Sequence, residues 1–235
     1  MPDLVADVPS CVLAVYAHPD DADVSCGGTL ARWARHGADV HLLVCARGDK
    51  GSADPATDPD TLAARRAAEV EAAAAVLGVT GRHHLDWDDG ELENSRELRA
   101  TIVAFIRRLH PEVVVCPDPT AVFFGDGYFN HRDHRSVGWA ALDAVAPAAA
   151  NPHYFPGAGP VHQVARVYLS GTLEPNCWVD VTGTLDAKTE AVSRHESQLG
   201  PAGEWFRGVV RERAEEAGRQ AGVRFAEGFR RLTLG

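Results

Sequence analysis

The sequence lacks most of what marks a chain for a membrane, the secretory route or a nucleic acid. No apolar run approaches the ~20 residues that a bilayer-spanning helix requires. The opening MPDLVADVPS carries no basic segment followed by an apolar one, so neither a membrane anchor nor a secretory signal is expected. Basic charge is scarce: 23 Lys and Arg stand against 33 Asp and Glu, a net charge of -10. Nucleic acid is therefore not an expected partner, because a polyanion is normally met by a basic patch. Like charges do not cluster into runs, which leaves no charged tail. The five cysteines, Cys11, Cys26, Cys45, Cys116 and Cys177, are odd in number and form no CxxC pair. That argues against a disulfide framework and for a reducing, cytoplasmic setting. Cys11, Cys45 and Cys116 lie in or beside apolar strand-like runs and read as small buried hydrophobes. Also missing is a GxGxxG turn. SCGGTLARW offers one glycine pair, which weakens the case for a non-catalytic nucleotide-binding module.

What remains is a chain of 235 residues, 45% hydrophobic, long enough for one large domain spanning 1–235. Neither an internal repeat nor a linker divides it. CVLAVYA (11–17) and VHLLVC (40–45) are short apolar runs suited to strands buried on both faces. Arg82–Leu85, Val113–Cys116, Val164–Ser170 and Cys177–Val181 are further strand candidates. Between them, Thr29–His36, Thr61–Leu77, Glu93–His110, Val137–Val145 and Leu185–Gln198 have helical composition, with Gly37, Gly78 and Pro111 as stops. HPDDADVSCGG, residues 47–59, residues 117–130 and the proline-bearing 146–160 read as loops. The stretch from Glu204 onward reads as helical but broken by glycines. Strands alternating with helices indicate an α/β fold, a single Rossmann-like domain with a mostly parallel sheet and helices on both faces. Ligands bind such folds at the carboxyl ends of the strands.

Two loops in that position carry ligand-type side chains. His18-Pro19-Asp20-Asp21 directly follows the most convincing strand, and His131-Arg132-Asp133-His134 follows the fourth strand after a long loop. His and Asp are both metal ligands, and Pro19 stiffens the first turn. His131 and His134 share a side if a helix starts there. His18, Asp21 and one histidine of the second cluster could meet on a metal, leaving a position open for water or substrate. Asp20 would then lie near that water as a general base, and the other histidine would be a general acid or oxyanion stabiliser. The donor set suits zinc and also ferrous iron, so a non-haem iron oxygenase is the alternative enzyme class. His36, His41, His83, His84, His110, His153 and His162 have no partner motif and read as structural.

AHPDDADVSCGGTLARWARHGADVHLLVCARGDKGS, with HRDH and the later KTEAVSRHESQ, resembles the PIG-L or LmbE-like deacetylases over about Val12 to Gln198. The resemblance implies a Rossmann-like fold and zinc-dependent removal of an acetyl group from an N-acetylglucosamine-containing small molecule. It implies His18, Asp21 and His134 as metal ligands and Asp20 as the general base. It also implies His131 as the acid or oxyanion stabiliser, with Asp133 orienting it. CARGDKGS and LDWDDGEL match segments near the sugar, which makes Arg47 and Asp89 candidate substrate contacts. Tyr128 is a further candidate, although two residues part it from His131. Arg132 stands where family members often have proline. The sequence is compatible with a homo-oligomer and names no interface.

Overall fold

The computed structural model describes residues 2–234, with the side chain of residue 201 left out. Its core is a sheet built from β1 (Cys11–Tyr16), β2 (Asp39–Ala46), β3 (Gly81–Trp87), β4 (Val113–Pro117), β7 (Arg166–Ser170), β8 (Cys177–Asp180) and β9 (Ala226–Thr233). The strand order is β3-β2-β1-β4-β7-β9-β8. The first five are parallel, and β9 runs antiparallel between β7 and β8. The chain therefore winds outward from β1 to β3 on one side and from β4 onward on the other. The reversal falls between β1 and β4, where a crevice opens beyond the carboxyl ends of the strands.

Both faces of the sheet are covered, as the unbroken apolar strands require. Val12, Ala14 and Tyr16 of β1 and Val40, Leu42 and Val44 of β2 point to one face, with α1 (Asp21–Arg35), α2 (Pro59–Leu77), α5 (Leu185–Ser193) and α6 (Gly203–Ala221). Leu13, Val15, Leu43 and Cys45 point to the other, against α3 (Arg96–Leu109), α4 (Arg132–Asp143) and a π-helical turn, Ala144–Ala149. Asp58 caps α2 by accepting from the Thr61 amide, and Ser95 caps α3 by accepting from the Leu98 amide. Each such cap satisfies an amide of the first turn that has no partner within the helix. Among the described residues no helix is long and apolar enough to cross a membrane.

The structure departs from the sequence reading in several places, and the expected helix 185–198 ends at Ser193. Helix α1 begins at Asp21, eight residues before the expected start, and runs through the two glycines with a kink at Cys26. Gly28 is there for packing: a Cβ would sit 2.9 Å from Val181. Helix α4 begins at Arg132 rather than Val137, capped by His131, so the second ligand cluster sits on a helical first turn. The segment after Glu204 is a 19-residue helix followed by β9. Gly222, at φ +75, ends that helix. The loop 117–130 contains a small hairpin of β5 (Phe123–Phe124) and β6 (Tyr128–Phe129).

Candidate active site

His18 leaves β1 at the carboxyl edge, and the turn closes on itself: the Asp21 carboxylate accepts from the His18 amide at 2.7 Å. The same carboxylate lies 3.4 Å from His18 Nδ1 and 3.0 Å from Nε2 of His134 on α4. The two ring nitrogens are themselves 3.1 Å apart. These three spacings are close to the ~3.3 Å edge of a tetrahedron with metal–ligand bonds of 2.0–2.1 Å. The outer nitrogens of both rings are already engaged. His18 Nε2 faces Asp89 Oδ1 at 3.0 Å and Asp133 Oδ2 at 3.4 Å, and His134 Nδ1 faces Asn130 Oδ1 at 2.9 Å. With the ring protons on those outer atoms, His18 Nδ1 and His134 Nε2 present lone pairs to a common point. The donor set of His18, Asp21 and His134 thus fits a divalent cation. His18 also has donor atoms close to those of His131, Asp89 and Asp133, but hydrogen bonds occupy its Nε2 on that side.

Charge gives the same answer. Burial would lower the His18 pKa, yet the Asp21 charge and contacts with Asp133, Asp21 and Asp89 outweigh it and push it up to about 12. Burial would raise Asp21, but His134 and His18 hold it well below the usual carboxylate range. The His134 ring is likewise raised: burial opposes, and Asp21 prevails. Three carboxylates around one buried turn create a demand for positive charge.

Asp20 is held beside this cluster by Arg66. Its Oδ1 accepts from Arg66 at 3.1 Å, and Arg66, 4% exposed at its side chain, also donates to the Gly48 carbonyl at 3.0 Å. Gly48 adopts φ +69, and a Cβ there would lie 2.3 Å from the Arg66 guanidinium, so only glycine fits. His131 stacks edge-on to His18 with ring centroids 4.9 Å apart, and its Nδ1 accepts from the Asp133 amide at 3.3 Å. Burial and the His18 charge push its pKa down. Asp133, fully buried, accepts from the Gly90 amide at 2.7 Å and lies against His18. Its carboxylate thus braces His18, whereas its backbone holds His131.

The remaining candidates divide. Asp89 is at the centre, on His18. Arg47 is tied to Asp60 at 2.9 Å, Asp88 at 2.8 Å, Asp86 at 3.5 Å and Asp49 at 3.6 Å. Tyr128 stands 54% exposed on the hairpin. Sequence reasoning passed over Arg66 and Asn130. Asn130 is fixed by its own bond to the Ala121 carbonyl at 3.0 Å, and its placement four residues before His134 is the signal that could have found it. A further layer braces the first turn. His195 bonds Asp23 at 2.6 Å, both about 1% exposed, and Ser197 bonds Glu69 on α2.

Known proteins resemble this chain in sequence and in fold. The family model for PIG-L, GlcNAc-PI de-N-acetylase, matches residues 13–145, more than half of the chain. The chain is 35% identical over 225 residues to the diacetylchitobiose deacetylase of Thermococcus kodakarensis, covering 93% of this chain and 82% of that protein. It is 32% identical over 249 residues to the 1D-myo-inositol 2-acetamido-2-deoxy-alpha-D-glucopyranoside deacetylase of Rhodococcus jostii, covering 80% and 81%. Among solved structures, the N,N'-diacetylchitobiose deacetylase of Pyrococcus horikoshii superposes with a TM-score of 0.88 at 30% identity, over 97% of this chain and 88% of that one.

Proposed function

This chain belongs to the PIG-L family, and from that premise we propose that it is a zinc-dependent deacetylase acting on an N-acetylglucosamine-containing small molecule. Acetate and a free amine are the products. The iron-oxygenase alternative has no support among the relatives. The observation that carries the reading is the convergence of His18 Nδ1, Asp21 and His134 Nε2 with their outer ring nitrogens already engaged.

In this reading His18, Asp21 and His134 hold the ion, which when bound acidifies a water molecule and polarises the amide carbonyl. Asp20, anchored by Arg66, takes the proton of the attacking water. His131 accepts at Nδ1, so its proton sits on Nε2, available to a developing oxyanion. Asp133 keeps His18 oriented and, through its amide, His131 as well. In the same reading Asp89, Arg47 and Tyr128 are the residues that contact the sugar. Acetate release from a panel of N-acetylglucosamine derivatives, before and after chelation, tests the reading. Release that is lost on chelation and regained with zinc supports it. Release that persists in chelator overturns it.

A further inference from the structure

We propose that Cys11, Asp39 and His41 form a second transition-metal site, of the zinc class, at the opposite end of the sheet from His18. The strand register builds it. Cys11 and Asp39 are paired partners across β1 and β2, and His41 lies two residues beyond Asp39 on the same strand. Period-two alternation puts all three side chains on the α3 face, in line with Leu13, Leu43 and Cys45 of that core layer. One donor atom from each lies within 4.8 Å of the others. At ~3.3 Å per residue, the seven residues from Cys11 to His18 separate this cluster from the first by roughly 20 Å.

His41 and Asp39 are each held by residues outside the cluster. Gly81 pairs with His41 across β2 and β3, and a Cβ there would lie 1.9 Å from His41 Nδ1, so the ring occupies a slot that only glycine leaves open. His41 Nδ1 faces His83 Nε2 at 3.3 Å, and the two rings stack at 5.6 Å. His41 Nε2 faces Asp39 Oδ2 at 3.0 Å, and with the ring proton on Nδ1, toward His83, Nε2 would offer its lone pair to a cation held with Asp39. A cation between them satisfies both, which is the engaged-outer-nitrogen arrangement of metal-bound histidines. Thr80 donates to the other oxygen, Asp39 Oδ1, and so fixes the carboxylate. Burial and the Asp39 charge push the Cys11 thiol up to about 11. On binding, Cys11 releases its proton to solvent and its thiolate becomes the third ligand. A thiolate, an imidazole and a carboxylate on a half-buried rim suit zinc or cobalt rather than magnesium or calcium. Water completes the fourth position.

Cobalt(II) provides the test, because the first site contains no sulfur. The full-length enzyme, stripped by chelation and refilled with cobalt, is expected to bind two equivalents and to show a thiolate-to-cobalt charge-transfer band in the near ultraviolet. Cys11→Ser should abolish the band and one equivalent while leaving acetate release unchanged. His134→Ala should keep the band. Asp39→Asn, at an exposed carboxylate, should weaken the band-forming equivalent by at least ~10-fold and controls for any folding defect in Cys11→Ser. A wild-type enzyme with no such band, or a band that survives Cys11→Ser, overturns the proposal.

Discussion

Helix α1 touches two buried charged clusters that differ in one respect. In its middle, Glu227 accepts from the Gly28 amide at 3.0 Å and the Thr29 amide at 2.8 Å and pairs with Lys188. Both side chains are 4% exposed, and one negative charge meets one positive charge and two amide donors. At its N-terminus, Asp21, Asp89 and Asp133 crowd two histidines, and one Asp133 oxygen is buried without a partner. The first cluster is balanced as it stands, whereas in the second three carboxylates face two histidines, the imbalance that the proposed cation would meet. A balanced buried knot supports the fold, whereas an unbalanced one in a strand-end crevice is a candidate site.

That contrast can be broken from either end. The largest effect is expected at the base. Asp20→Ala should lower kcat by ~10²–10⁴-fold and keep its metal, as read by acetate release and elemental analysis on one sample. Metal lost in step with activity would make Asp20 a ligand instead. Next comes the outer support of the site. Asn130→Ala frees His134 Nδ1 and should cost ~10–100-fold in metal affinity, with little change in thermal midpoint. An unchanged affinity would mean that the Asn130 contact does not set the tautomer of His134. In the balanced knot the pattern should invert. Lys188→Met strands the Glu227 carboxylate and should destabilise the fold by ~3–5 kcal/mol. Adding Glu227→Gln should recover much of that loss, and the folded fraction should keep full activity per molecule. A Lys188→Met enzyme that is stable but inactive would erase the distinction.

The smallest effect is expected at the rim. Glu112 accepts from the Ser10 amide at 2.9 Å and also faces Arg166. The Ser10 amide, ahead of the opposing effect of burial, holds its carboxyl below the usual range. Its folded pKa is thus below the unfolded value of about 4.3. The stability it contributes is present above that pH and is lost as pH falls through the folded pKa. Glu112→Gln should flatten this acid limb of the stability curve and leave neutral-pH activity alone. An unchanged acid limb would remove Glu112 from the account.

Much of this was legible in the residues. The apolar runs 11–17 and 40–45 and the helix 61–77 needed only periodicity and stops. HPDD and HRDH were legible because ligand-type residues stand where a parallel sheet opens. The contribution of Arg66 was not, since an arginine in an Ala-rich helix looks like a solvated charge until the Gly48 turn folds over it. Strand β9 was missed because AEGFRRLT lacks a clean alternation. It is held in place by pairing with β7 and β8 on both sides rather than by its own propensity. The early start of α1 was hidden by Gly27 and Gly28, and the cost of Gly28 within a helix is accepted for close approach to Val181.

The central claim is that His18, Asp21 and His134 hold the catalytic ion and that Asp20 does not. It is tested most directly by counting metal per chain in wild type, Asp20→Ala and His134→Ala, each loaded with zinc and freed of excess. With the rim site silenced by Cys11→Ser in every sample, the account predicts about one zinc in the first two and almost none in the third. A full complement of zinc in His134→Ala would contradict it.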